Sequence, residues 1–223
     1  MCKGEKKYTT VLFDMDGVLV DSENALRTCC IEALKEFGIN AKHEDFIEFT
    51  GMGEDGFIGG VAKLYNKEYI IEMKEKSYEL YVERAPRLVV VFDKIKETLC
   101  EIKEMGAKVA VASAADFIKV STNLKCIGIT PDFFLSVVTG SDVVKKKPDP
   151  EIYLKAANKI GSDPSECIVV EDAVAGIKAG CAAGMICIGV TSTFDEATLR
   201  EAGASYVVSN TYEIVPLIKS LLG

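Results

Sequence analysis

The stretch VLFDMDGVLVDSE, residues 11–23, gives the strongest indication of the fold. It begins with an apolar run typical of a buried β-strand, and it then places two carboxylates, Asp14 and Asp16, directly before Gly17. Isolated buried carboxylates are costly unless a cation or several hydrogen-bond donors surround them. The stretch therefore predicts a strand that ends beside a positively charged group.

The composition is that of an ordinary globular protein. The 223 residues, 48% hydrophobic and 27% charged, allow one substantial core and a small second domain. The formal charge of −8 argues against nucleic-acid and anionic-membrane partners, because clustered Lys and Arg hold those. No apolar leader precedes the first strand, and no apolar run of about 18 residues follows it, so a cytoplasmic protein is expected.

The cysteines and the single histidine are given no catalytic role. No two of the eight cysteines form a C-x-x-C pair, and they are interpreted as reduced, small hydrophobic residues. His43 lies in a polar stretch and is expected at the surface. Carboxylates are left as the groups on which the chemistry depends.

Short apolar runs alternate with helix-period segments through most of the chain. Strands are predicted at about 9–13, 108–112, 134–138, 167–170, 185–190 and 205–208. Helices are predicted at 93–105, 116–126, 150–160, 173–183, 194–202 and 211–221. This alternation predicts an α/β fold with a doubly wound, Rossmann-like parallel sheet that helices cover on both faces.

One segment interrupts the alternation. Residues 20–88 lie between the first and second strands and are typical of three or four amphipathic helices. We therefore expect two domains. Residues 1–19 and 89–223 would form the catalytic core, and residues 20–88 an inserted all-helical cap domain.

Chemically active side chains follow four of the predicted strands, at the sheet edge where such folds bind ligands. In chain order they are Asp14 and Asp16, then Ser113, then Lys147, then Glu171 and Asp172. Mg²⁺ commonly takes one or two carboxylates together with a substrate phosphate, and Asp14 and Asp172 suit that role. A carboxylate can form an aspartyl-phosphate, while a lysine and a hydroxyl stabilise charge on a transferring phosphoryl group. The pattern predicts magnesium-dependent phosphoryl transfer.

Each of these residues also has a structural interpretation. Asp is common in turns, a Ser after a strand often caps a helix, and the lysine run at 145–147 could be a solvated surface. Their occurrence in order at successive strand ends favours the functional interpretation.

Four segments resemble the motifs of the haloacid dehalogenase-like hydrolase superfamily: DMDGVLVDSE, VASAAD, KKPDPEIYL and EDAVAGIKAGCAAGM. The resemblance covers nearly the whole chain and is to the branch of β-phosphoglucomutases and small-molecule phosphatases with a helical cap. It implies a small phosphorylated metabolite as substrate. Because dehalogenases and phosphonate-cleaving members lack the second aspartate, Asp16 favours phosphate-ester chemistry.

The resemblance also implies roles for individual residues. The implied catalytic residues are Asp14 as nucleophile and Asp16 as general acid and then base. The implied phosphate-binding residues are Ser113, Ala114 and Lys147. The implied Mg²⁺ ligands are Asp14, the main-chain carbonyl of Asp16 and Asp172, with Glu171 close behind.

The segment GMGEDG, residues 51–56, matches the G-x-G-x-x-G dinucleotide pattern only by letter. No strand precedes it, and Glu54 and Asp55 would repel a pyrophosphate. It is interpreted as a cap hinge or a substrate-facing loop, in which Gly51 permits close approach to the substrate.

Two alternatives remain beside a phosphatase that acts as a monomer or homodimer. A β-phosphoglucomutase-type mutase must hold a second phosphate, but Glu54 stands where the mutase-like pattern has Arg, and Leu26 stands where it has His. Lys63, Lys67 or Arg84 could compensate. A phosphoaspartate receiver or a binding-only relative is the other alternative, but receivers lack the helical insertion, and no catalytic group is missing here.

Overall fold

The computed structural model describes residues 8–49 and 52–222. Its strands are β1 (Thr10–Phe13), β2 (Val20–Asp21), β3 (Val90–Val91), β4 (Lys108–Ala112), β5 (Ser136–Val138), β6 (Cys167–Glu171), β7 (Ile186–Val190) and β8 (Tyr206–Val208). Its α-helices are α1 (Glu23–Glu36), α2 (Gly53–Leu64), α3 (Ile71–Leu88), α4 (Ile95–Glu104), α5 (Phe117–Ile127), α6 (Glu151–Lys159), α7 (Val174–Ala182), α8 (Glu196–Ala202) and α9 (Ile214–Leu222). Within those ranges no helix is long and apolar enough to cross a membrane.

In the described part of the chain, six strands form a parallel sheet in the order β5-β4-β1-β6-β7-β8. Alternate side chains of β1 enter opposite apolar clusters, Val11 and Phe13 on one face and Leu12 on the other. The predicted doubly wound α/β class is confirmed. Each predicted strand and each predicted core helix is present, with ends close to the expected positions.

The helices α1, α2 and α3 follow the first strand and pack around a third apolar cluster, which includes Leu34, Phe46, Ile58 and Tyr81. A 3-10 helix at His43–Phe49 lies between α1 and α2. The chain enters and leaves this region through β2 and β3, which pair antiparallel and were not expected from the sequence. A helical insertion is therefore present, while the domain boundaries at residues 20 and 88 stay a prediction.

Candidate active site

The carboxylate of Asp14 lies buried just beyond β1. Lys147 Nζ donates to Asp14 Oδ1 at 2.6 Å and to Glu171 Oε1 at 2.5 Å. Burial acts against the charged ammonium, but attraction by Asp14 and Glu171 outweighs it and raises the pKa of Lys147 well above its ordinary value. One ammonium therefore bridges two buried carboxylates that follow or end neighbouring strands of the sheet.

Glu171, at the end of β6, accepts hydrogen bonds from four donors. The donors are Lys147 Nζ at 2.5 Å, Tyr153 OH at 3.1 Å, the Asp172 N–H at 2.9 Å and the Ala173 N–H at 2.8 Å. Gly176 of α7 leaves room for this carboxylate, because a Cβ there would lie 1.7 Å from Glu171 Oε1. Glu171 is thus fixed against α7 and orients Lys147 towards Asp14.

Asp172 is a buried carboxyl group in a different environment. Its Oδ2 accepts from Thr193 Oγ1 at 2.5 Å, and no Lys or Arg in the described ranges lies within ion-pair distance of it. Burial, followed by repulsion from Glu171 and Asp14, raises the pKa of Asp172 to about 8. Burial also raises the pKa of Asp14 to about 7, although Lys147 acts in the opposite direction.

Gly17 brings the backbone after β1 against Asp172. Its φ is +79°, in the left-handed region that favours glycine, and a Cβ there would lie 1.9 Å from Asp172 Oδ2. The turn that carries Asp16 therefore depends on a residue without a side chain.

Asp16 is held at both carboxylate oxygens. Ser22 Oγ, just before α1, donates to Asp16 Oδ1. Lys119 Nζ, from the first turn of α5, donates to Asp16 Oδ2 at 2.8 Å, and the Lys119 side chain is only 7% exposed. Two separate ammonium groups therefore serve the two aspartates, Lys147 for Asp14 and Lys119 for Asp16.

Ser113 follows β4 and is buried. Because β4 pairs with β1 in parallel, with Val111 opposite Phe13, Ser113 lies at the same edge of the sheet as Asp14. The Ala115 N–H donates to Ser113 Oγ at 3.2 Å. The hydroxyl is thus oriented by the turn that leads into α5.

Of the two remaining residues predicted from the sequence, the structure describes Ala114 but not Gly51. Ala114 packs against Gly140, where a Cβ would lie 2.0 Å from the Ala114 carbonyl oxygen. Gly51 lies outside the described residues. Glu54, three residues further along the chain, is buried in the first turn of α2.

A cavity of about 630 Å³ opens beside this group of side chains. Asp16, Gly17 and Asp172 line it, together with Ser192 and Thr193 from the loop after β7. Asp16 and Asp172 therefore border an open cavity.

The donor set fits a hard divalent cation. Asp14 and Asp172 are buried carboxylates with raised pKa values, and a cation would relieve the repulsion that contributes to both shifts. Over residues 8–49 and 52–222, no three His, Cys, Asp or Glu side chains are placed as a complete metal-binding group. Mg²⁺ commonly takes one or two carboxylates and completes its coordination with water and phosphate, which agrees with this arrangement.

Some of these neighbours were not predicted from the sequence. They are Ser22, Lys119, Tyr153 and Thr193. The sequence does contain an indication for Lys119. A lysine in the first turn of a helix is disfavoured by the helix dipole, so an acid is expected near it. Tyr153 and Thr193 reach the site through tertiary packing, which no local spacing indicates.

The fold and the site define a class: an α/β protein with acids and a lysine at the carboxyl edge of a parallel sheet and a helical insertion after the first strand. Residues 11–190 match the family described as haloacid dehalogenase-like hydrolase. The chain belongs to this family, and the predicted family is confirmed.

Similar proteins and structures agree with that assignment. Protein SUPPRESSOR OF QUENCHING 1, chloroplastic, of Arabidopsis thaliana is 41% identical over 205 residues, and the match covers 90% of this chain but only 19% of that protein. Pyrophosphatase PpaX of Bacillus velezensis is 31% identical over 213 residues, covering 95% of this chain and 96% of that one. The crystal structure of CbbY from Rhodobacter sphaeroides in complex with phosphate has a TM-score of 0.80 at 24% identity, covers 93% of this chain and 96% of that chain, and supports the fold.

Asp172→Asn is expected to stabilise the metal-free protein at high pH. The pKa of Asp172 is raised to about 8 in the folded state, so the folded protein keeps a proton that the unfolded chain loses. Stability is therefore lost as the pH rises from about 4, the ordinary Asp value, through that raised pKa. In urea unfolding with EDTA, the variant should gain about 1 kcal/mol or more at pH 9 and little at pH 5. Asp93→Asn, at an exposed position, is the control. An equal gain in stability from the control, or no gain from Asp172→Asn at pH 9, would contradict the raised pKa of Asp172.

Proposed function

We propose that this protein is a magnesium-dependent phosphatase that hydrolyses a small phosphorylated metabolite through an aspartyl-phosphate on Asp14. The coarser statement, a haloacid dehalogenase-like phosphatase of small phosphorylated substrates, follows from the family and from relatives such as PpaX. The proposal adds the metal, the covalent intermediate and the residue roles to that statement. The observation that carries them is the buried Asp14 carboxylate held by Lys147 at the ligand-binding edge of the sheet.

We assign nucleophilic attack to Asp14. Lys147 holds Oδ1, and Oδ2 is assigned to form the bond to phosphorus as the bond to the leaving oxygen breaks. Lys147 and the Ser113 hydroxyl would stabilise the charge on the other phosphoryl oxygens. Burial of both side chains strengthens these electrostatic contributions.

We assign proton transfer to Asp16. Protonated Asp16 would donate to the leaving oxygen, and the resulting carboxylate would then accept a proton from the water that attacks the phosphorus of the phosphoaspartate. That attack restores Asp14 and releases inorganic phosphate. Ser22 and Lys119 donate hydrogen bonds to Asp16 and hold its carboxylate in one orientation for both steps.

We assign Mg²⁺ binding to Asp14, the main-chain carbonyl of Asp16 and Asp172. Bound there, the ion would neutralise charge on the transferring phosphoryl group. Glu171 accepts from four donors, so we assign it to positioning Lys147 close behind the metal ligands.

We propose that residues 20–88 act as a cap over this site and that the activity is hydrolysis, not isomerisation. A mutase needs cationic groups for a second phosphate. Of the lysine and arginine residues that could supply them, Arg84 is engaged by Glu32 through two contacts of 2.5 and 2.6 Å, and Lys63 and Lys67 are exposed. Glu54 is buried at the cap side, where a carboxylate would disfavour a second phosphate.

Hydrolysis should be faster than isomerisation when β-glucose 1-phosphate is supplied with a catalytic amount of β-glucose 1,6-bisphosphate. The acidic Glu54 and the aliphatic Leu26 leave the second phosphate without the groups that a mutase requires. Free phosphate and glucose 6-phosphate are measured in the same reaction. Glucose 6-phosphate formed faster than free phosphate would establish the mutase alternative.

Asp14→Asn and Asp16→Asn should separate the two aspartate roles. Asp14→Asn removes the attacking carboxylate, so no phosphoenzyme forms. Asp16→Asn keeps the nucleophile but removes an acid and base worth about 10²–10⁴-fold. With p-nitrophenyl phosphate, whose phenolate leaves with less need of a proton, phosphoenzyme should accumulate in the Asp16 variant.

Mass spectrometry after mixing detects the adduct and its position, with unmixed protein as the control. The expected result is a phosphate adduct on Asp14 in the Asp16 variant and none in the Asp14 variant. The reverse pattern, or an adduct on Ser113, would show that the roles are wrong.

A further inference from the structure

Lys119 is a buried lysine of the core that faces the helical insertion. It lies in the first turn of α5, three residues after Asp116, which precedes the helix. Its Nζ lies 2.8 Å from Asp16 Oδ2, and its side chain is 7% exposed. Burial opposes the charge, but attraction by Asp16, Glu54 and Tyr81 outweighs it and raises the pKa of Lys119. The ammonium is therefore kept charged beside Asp16.

The groups around Asp16 come from both sides of the boundary between the sheet and the helical insertion. Ser22, which holds Oδ1, directly precedes α1, whereas Lys119, which holds Oδ2, belongs to α5. Tyr81 of α3 donates to Asn123 Oδ1 at 2.5 Å, one turn along α5 from Lys119. The helix that carries Lys119 is thus also in contact with α3 of the insertion.

Glu54 provides the second acid that acts on Lys119. It is 8% exposed in the first turn of α2, and burial raises its pKa while Lys119 lowers it. Asp16 is the carboxylate that Lys119 contacts, on the core side. Glu54 attracts the same ammonium from the side of the insertion without forming an ion pair with it.

We infer that Lys119 is a positioning residue for proton transfer, which fixes Asp16 through its contact with Oδ2. This inference rests on the proposed function, since it acts through the acid and base role of Asp16. Lys119 keeps its proton throughout. The proton given to the leaving oxygen comes from Asp16, and water later replaces it. The effect of Lys119 should therefore depend on how much the leaving group needs that proton.

The test compares kcat/KM for phenyl phosphate and p-nitrophenyl phosphate, because this ratio reports the step in which the leaving group departs. Phenolate, with a conjugate-acid pKa of about 10 like that of Tyr, needs a proton more than nitrophenolate does. Lys119→Met should lower kcat/KM about 10- to 100-fold for phenyl phosphate and less than about 3-fold for p-nitrophenyl phosphate. Lys119→Arg, which keeps a cation, should restore part of the loss.

Two further variants separate positioning from folding. The double variant Lys119→Met with Glu54→Gln removes one buried positive charge and one buried negative charge together. It therefore keeps the buried net charge and should show the same selective loss. Lys74→Met is the matched control, because Lys74 of α3 pairs with Asp116 across the same boundary and with Asp55 inside the insertion, but does not pair with Asp16. It should change both substrates by the same factor.

Each outcome decides between the inference and the proposed function. A loss that is equal for the two substrates, or absent, in both the single and the double variant would overturn the role of Lys119 while leaving the phosphatase intact. Failure of the wild type to release phosphate from either substrate, with no adduct on Asp14, would overturn the proposed function and the inference with it.

Discussion

The bridge that Lys147 makes between Asp14 and Glu171 is the interaction on which the rest of the site depends. Breaking a buried ion pair by removing one partner typically costs about 3–5 kcal/mol, because the other charge stays buried. The surrounding structure meets that constraint with fixed donors: backbone amides after β6 and the Tyr153 hydroxyl hold Glu171, and Gly176 leaves it room. Even so, one acid, Asp172, is left without a cationic partner in the described chain. Buried acids with raised pKa values, one of them without a cationic partner, are the physical basis for assigning a metal site.

The two lysine–aspartate pairs divide the proposed chemistry between two parts of the fold. Asp14 and Lys147 belong to the sheet edge and its loops, so the proposed nucleophile is held by the core. Asp16 and Lys119 lie where α5 meets the helical insertion, so the orientation of the acid and base depends on contacts that involve both. The pKa values of the buried acids Asp14 and Asp172 are raised, in part by repulsion from neighbouring acids. Such raised values are typical of functional sites.

Much of the fold and part of the site follow from the sequence, for a physical reason. In a parallel sheet the carboxyl ends of all strands face one edge, so side chains that follow strands in sequence also meet in space. That rule brings Asp14, Lys147 and Asp172 together without knowledge of tertiary packing. It cannot find Lys119, Tyr153 or Thr193, which reach the site from helices or a later loop. It also misses β2 and β3, because a pair of two-residue strands has too few residues to show a period. Gly51 lies outside the described residues, so its predicted contact with substrate remains a prediction.

The most direct test of the central claim, that the buried acids form a magnesium site, is a calorimetric titration of the wild type and Asp172→Asn with Mg²⁺, paired with phosphate release before and after EDTA. Binding to the wild type should release protons, because the raised pKa values of Asp14 and Asp172 require deprotonation on binding. Binding should be weaker by about 10-fold or more in the variant, within the effect expected when a group that tunes a metal site is lost. Turnover should stop after EDTA and recover when Mg²⁺ is restored. Unchanged binding in Asp172→Asn, or full turnover in EDTA, would contradict it.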